Sequence, residues 1–164
     1  QTQCNLYVKD RLFFLENRPW GEVYKKRVFS AKPATLPVSS RQTVAPTKMM
    51  FIDDPDRLND HFRRVQPLLG TNVTQTVFSE PEYLEFLSIE ANKGKGLRRL
   101  CEYLKVDQKD VAAMGDYLND LEMLKWAGTA IAPSNAHRDI LDIADIVVSS
   151  HVDGAVADYV PHYM

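Results

Sequence analysis

Beyond residue 89 the chain alternates short apolar runs with stretches whose apolar residues recur at helical spacing. Leu97, Leu100, Cys101 and Leu104 stand at i, i+3, i+4 and i+7, the stripe of an amphipathic helix. The pattern predicts helices at 95–105, 119–127 and 136–143, interleaved with strands at 111–115, 129–132 and 145–148. Helix and strand in strict alternation predict a parallel sheet with right-handed crossovers.

The first half follows another rhythm. Leu6-Tyr7-Val8 and Leu12-Phe13-Phe14-Leu15 read as extended segments paired across Lys9-Asp10-Arg11. Residues 20–29 read as a short helix, with Val23 and Tyr24 on one side and Lys25, Lys26 and Arg27 on the other. Pro33, Pro37, Ser39, Ser40 and Pro46 mark an irregular connection, and residues 48–52 a strand. Leu58, Phe62, Val65 and Leu69 form a helical stripe that ends near Pro67 and Gly70. Two more strands are predicted at 73–78 and 83–89. The expectation is an α/β protein in two parts: residues 1–88, a mixed unit with an antiparallel sheet, and residues 89–164, built on the parallel one.

With 164 residues the chain can bury a real core, and 45% hydrophobic and 26% charged residues describe an ordinary globular composition. A net charge of −2 gives no electrostatic case for nucleic acid or an anionic membrane. No apolar run approaches the roughly 18 residues that span a bilayer, and Gln1-Thr2-Gln3-Cys4 has no signal-peptide character. Cys4 and Cys101 lack CxxC or CxxH spacing, which argues for a reducing, cytoplasmic compartment and against structural zinc. His61, His137, His151 and His162 show no metal-ligand spacing.

The chemistry concentrates in two segments. Gly115-Asp116-Tyr117-Leu118-Asn119-Asp120 joins the strand at 111–115 to the next helix. Asp116 thus falls at the carboxyl end of a parallel strand, where open α/β sheets bind ligands. A carboxylate there suits a hard cation such as magnesium (Mg2+), which takes one or two protein carboxylates plus water and phosphate oxygens. Asn119 and Asp120 read equally well as caps of the helix. Upstream, Asn92-Lys93-Gly94-Lys95-Gly96-Leu97 is a polar, glycine-rich turn that opens a helix, a place that favours bound phosphate.

In order and spacing, these segments resemble the carboxyl-terminal half of Cof-type phosphatases of the haloacid dehalogenase superfamily. The residues that carry the resemblance are Lys93-Gly94-x-Gly96-Leu97, Gly115-Asp116-x-x-Asn119-Asp120, Ala127-Gly128-x-Ala130-Ile131-Ala132-x-x-Asn135-Ala136, Ala144-Asp145 and Asp153-Gly154-Ala155-Val156. The resemblance implies an incomplete Rossmann-like core with a parallel sheet (89–164) and most of an α/β cap (1–88). It implies magnesium-dependent hydrolysis of a small phosphorylated metabolite, such as a sugar phosphate, through an aspartyl-phosphate. Asp116 would be the metal ligand, Lys93 would contact nucleophile and phosphoryl group, Asn119 would bond a phosphate oxygen, and Asp120 would orient Lys93 or a metal-bound water. Asn135 matches a position near the site, although helix capping explains it equally well.

The family's attacking Asp-x-Asp has no proper place in these residues. Met49-Met50-Phe51-Ile52-Asp53-Asp54-Pro55-Asp56 mimics it, but Pro55 suits a first helical turn with Asp54 as its N-cap, and Leu58 stands where the motif has Thr or Val. The expectation is therefore a fragment that is inactive alone and partners the missing amino-terminal segment of the same protein or a second copy. The competing expectation is a catalytically silent phosphate-binding or regulatory module. Lys95, Arg98 and Arg99 read as a solvated helix face, and Asp153-Gly154 as the turn before a last helix.

Overall fold

The computed structural model of the chain describes residues 2–28, 32–40, 43–69 and 74–163. Two compact units emerge, Gln1–Ile89 and Glu90–Met164.

The first unit is a six-stranded sheet in the order β3-β2-β1-β4-β6-β5. Its strands are β1 (Gln3–Val8), β2 (Arg11–Phe14), β3 (Ala34–Thr35), β4 (Lys48–Ile52), β5 (Thr74–Glu80) and β6 (Tyr83–Ser88). All pairings are antiparallel except the short parallel pair of β2 and β3. The hairpin of β1 and β2 turns at Lys9, whose φ of 56° is left-handed. Helix α1 runs Pro19–Arg27, and helix α2 runs Pro55–Val65 before a 3₁₀ turn at Gln66–Leu68. The predicted ends at Phe29 and Gly70, and the strand start at Val73, lie outside the described residues.

Alternation along β1 sends Cys4 and Leu6 to a cluster with Leu36 and turns Tyr7 toward another. Phe14, Tyr24, Met50, Ile52 and Tyr83 cluster under α1, whereas Leu58, Leu84 and Phe86 cluster under α2. On α1 the buried line is Gly21 and Tyr24, while Val23 is 42% exposed, so the side expected to carry Val23 and Tyr24 together is divided between core and solvent. Successive helical residues are turned about 100° apart, and only the i, i+3 set reaches the sheet. Trp20 and Tyr24 are spent inside this core.

The Asp53–Asp54 pair is structural. Asp54 caps α2, accepting from the Asp56 N–H at 3.1 Å, with Pro55 in the first turn. Asp53 is 2% exposed and accepts from the Thr2 hydroxyl (2.6 Å), the Asp54 N–H (2.9 Å) and the Trp20 indole (3.2 Å). Burial raises this carboxyl, yet the Thr2 and Asp54 bonds and the Arg57 charge hold it below the usual carboxylate range. A carboxyl depressed by folding stabilises the native state above its unfolded value of about 3.9 and loses that contribution as pH falls through the folded value. Stability should therefore decline below about pH 4, and Asp53→Asn should flatten that decline while weakening the fold at neutral pH by ~2 kcal/mol. Urea unfolding at pH 6 and pH 3 tests this, and equal pH slopes in the two proteins would refute it.

The second unit is a three-stranded parallel sheet, β7 (Ala112–Met114), β8 (Thr129–Pro133) and β9 (Ile146–Val148), in the order β7-β8-β9. Helices α3 (Lys93–Leu104), α4 (Leu121–Trp126) and α5 (Arg138–Leu141) contribute to one face, where Ala113, Leu124, Ala130, Ala132 and Ile140 pack. Helix α6 (Ala155–Tyr163) packs on the other, against Ile131 and Val148. Gly154 precedes α6 at φ 90°, as the turn at Asp153-Gly154 requires. Among the described residues β7 pairs only with β8, so its other edge is open.

Two helices depart from expectation. Helix α3 begins at Lys93, so the glycine-rich segment is the first helical turn itself. Its buried residues are Gly94 and Cys101, with Leu97 half-buried; Leu100 and Leu104 are 52% and 57% exposed. Apolar spacing defines a stripe, but only the part that faces α4 and the sheet is covered. Helix α5 is one turn instead of two, because His137 caps it at one end and the chain leaves helical conformation after Asp142.

Candidate active site

Strand β7 ends at Met114 and is prolonged by one bond, Gly115 N–H to the Ile131 carbonyl at 3.1 Å. The chain then turns, and residues Leu118–Asp120 make a 3₁₀ turn that leads into α4. The turn comes back so close that a Cβ on Gly115 would stand 2.5 Å from the Cβ of Asp120. Only glycine permits that approach, and it tucks the Asp120 carboxylate beneath the end of β7.

Asp120 is 4% exposed, and both its oxygens are engaged. Oδ2 accepts the Asp116 N–H at 3.1 Å, and Oδ1 is in an ion pair with the Lys93 ammonium. Lys93 is the first residue of α3, whose start is fixed by Asn92 Oδ1 accepting the Lys95 N–H at 2.7 Å. The helix can lie against α4 because Gly94 faces the Glu122 carbonyl, where a Cβ would come within 2.7 Å. Thus a buried carboxylate ties the strand end carrying Asp116 to the helix start carrying Lys93. The Lys93 side chain stays 51% exposed, so its charge remains available to a ligand.

Asp116 is held by its backbone alone. Its N–H goes to Asp120, and its carbonyl accepts the His137 N–H at 2.8 Å. Its carboxylate is exposed and takes no hydrogen bond or ion pair among the described residues. Lys93, Asp116 and Asp120 line one cleft of about 820 Å³, together with Met114, Met123 and His151. Among the described residues no group of three His, Cys, Asp or Glu side chains could cage a metal. One free carboxylate in an open cleft would suit only an ion that keeps most of its water or phosphate ligands, as magnesium does, and could not cage an ion by itself.

The other expected site residues sit differently. Asn119 is half-buried in the 3₁₀ turn and is not in the cleft lining. Asn135 is also outside the lining, and both arms of its amide are engaged by His151: Oδ1 accepts the backbone N–H at 3.0 Å and Nδ2 faces ring Nδ1 at 2.5 Å. His137, not Asn135, caps α5. His151 is the polar lining residue that sequence reasoning passed over, because a lone histidine without metal-ligand spacing carries no signal. Lys95, Arg98 and Arg99 form an outer face as expected: Lys95 and Arg99 pair with Glu90, and Arg98 lies over the Trp126 ring at 5.9 Å.

The profile of the haloacid dehalogenase-like hydrolases matches residues 1–160. The chain is 39% identical over 90 residues to the phosphatase YwpJ of Bacillus subtilis, a match covering 54% of this chain and 32% of that protein. It is 33% identical over 120 residues to the HMP-PP phosphatase of Cronobacter sakazakii, covering 72% and 44%. The structure of TM0651 from Thermotoga maritima superposes with a TM-score of 0.77 at 25% identity, covering 100% of this chain and 61% of that one. SMU.1108c from Streptococcus mutans superposes with a TM-score of 0.84 at 18% identity, which speaks for the fold alone. The chain thus spans less than half the length of these two sequence relatives.

Proposed function

This chain belongs to the haloacid dehalogenase-like hydrolases, and on that premise we propose that it carries the cation-anchoring, charge-supplying part of a magnesium-dependent phosphatase of small phosphorylated metabolites. The observation that supports this most is a single cleft holding an unengaged carboxylate, Asp116, beside an exposed ammonium, Lys93, whose position is set by a buried acid. The phosphatase names of two sequence relatives support the reaction class. A sugar phosphate fits the proposal as an example of the substrate.

In this reading an attacking carboxylate forms a bond to phosphorus as the ester oxygen leaves, and water then hydrolyses the aspartyl-phosphate. Asp116 and Asp120 already have other tasks, so the attacking carboxylate is supplied from outside these residues. Lys93 stabilises the negative charge that gathers on the phosphoryl oxygens. Asp120 holds the ammonium in place and, through the Asp116 N–H, fixes the strand end against it. Asp116 would hold magnesium, which when bound offsets the repulsion between two anions. Asn119 makes no side-chain hydrogen bond among the described residues and lies outside the cleft lining; in this reading it would bond a phosphate oxygen. The unit Gln1–Ile89 serves as the substrate-selecting cap, and the open edge of β7 takes up the strand that brings the nucleophile.

Hydrolysis of p-nitrophenyl phosphate with magnesium tests the proposal, comparing this chain with a longer one that includes an upstream Asp-x-Asp. The longer chain should turn over and this one should not. Turnover by this chain alone would overturn the divided-site reading. Silence in both would favour a non-catalytic phosphate-binding module.

A further inference from the structure

His151 follows β9 and lines the cleft, yet nothing in the reaction outlined above uses it. Its hydrogen bonds determine which of its nitrogens carries the proton. The His151 backbone N–H is donor-only, so the amide arm that meets it at 3.0 Å must be the Asn135 oxygen. The other arm, facing ring Nδ1 at 2.5 Å, is therefore the NH₂ group, itself donor-only toward the ring. Nδ1 must accept, and in the neutral ring the hydrogen then resides on Nε2.

We infer that Asn135 locks His151 as the Nε2–H tautomer, making it a fixed hydrogen-bond donor for an oxygen on the organic part of the substrate. The distinction from the phosphoryl end follows from the sheet. Asp116 leaves β7 and His151 leaves β9, two strand spacings or about 10 Å away, a separation wider than one phosphoryl group. Lys93 and Asp116 hold the phosphoryl end, and His151 reads a hydroxyl or carbonyl oxygen beyond it. Met114 and Met123 line the same cleft with apolar surface, which offers the organic part of the ligand few other polar partners, so the imidazole N–H acts as the selector. Asn135 is then a positioning residue that acts on the cleft through His151. This assignment of substrate contact rests on the phosphatase reading; the tautomer does not.

Nitrogen-15 NMR of the histidine side chains separates the two. In the native chain the His151 signals should show a protonated Nε2 and a bare Nδ1. Asn135→Asp replaces the donor facing Nδ1 by an acceptor and should put a proton on Nδ1 with the fold retained. A native ring protonated at Nδ1, or a variant whose Nδ1 stays bare, would overturn the lock. Glucose 6-phosphate with magnesium should then shift the Nε2 signal, whereas inorganic phosphate with magnesium should perturb the Lys93 and Asp116 resonances and leave Nε2 in place. His151→Phe should erase most of any affinity difference between these two probes. Equal response of Nε2 to both probes would overturn the selector role. Failure of both probes to perturb Lys93 and Asp116 would count against the phosphatase reading while leaving the tautomer result intact.

Discussion

Asp116→Asn is expected to abolish detectable magnesium binding by this chain and, in the enzyme that includes the attacking carboxylate, to lower hydrolysis about 100-fold or more. The substitution is selective because the backbone of Asp116 makes all its structural bonds, to Asp120 and His137, while its carboxylate makes none among the described residues. The thermal midpoint should stay within a degree or two of the native value, as surface substitutions away from structural contacts usually do. Lys93→Ala should match the loss in turnover but carry a stability cost as well. It leaves the 4%-exposed Asp120 carboxylate without its cation, and a buried charge stripped of its partner is costly. Magnesium titration, turnover and melting measured together resolve the two residues. An Asp116→Asn protein that still binds magnesium normally would remove the metal role from this residue.

Gly115→Ala is the second large effect, and it needs no change of charge. The added methyl would meet Asp120 at its Cβ (2.5 Å) and Cγ (2.7 Å), atoms close to the main chain that cannot swing aside. The 3₁₀ turn must shift, the Asp116 N–H loses its acceptor, and Lys93 loses its alignment. A cost of about 1–3 kcal/mol is expected, the usual range for overpacking, with a fall in turnover of roughly 100-fold from the displaced pair. Gly96→Ala is the control: nothing lies within 4 Å of its added Cβ, and it sits inside α3. It should stabilise the chain by up to about 1 kcal/mol through helix propensity and leave the cleft unchanged. Equal behaviour of the two variants in urea unfolding would show that the close approach at residue 115 has no consequence.

Most strands, and the antiparallel or parallel character of each sheet, were readable from period and composition; the order of strands within a sheet, and the short β3, were not. The alternation after residue 89 leads to the parallel sheet β7-β8-β9, and the runs around Lys9 lead to an antiparallel hairpin. What stayed hidden was the difference between apolar and buried. Leu100 and Leu104 have the spacing of a core stripe, but burial depends on which neighbour arrives, and periodicity is blind to neighbours. The one-turn length of α5 was hidden too, because its cap is His137, a residue that capping preferences do not favour. Within the cleft, Lys93, Asp116 and Asp120 were legible as a motif, whereas the tie between Asn135 and His151 joins two segments that no local signal connects.

The ties that shape the cleft close modest stretches of chain. Lys93 and Asp120 are 27 residues apart, Asn135 and His151 are 16, and the Asp116–Asp120 bond spans 4. The bonds of Thr2 to Asp53 and His61 in the other unit span 51 and 59. Loop-closure entropy and contact order both favour the shorter closures. During refolding, amide-exchange protection around Asp116 and Asp120 should therefore appear before protection around Asp53.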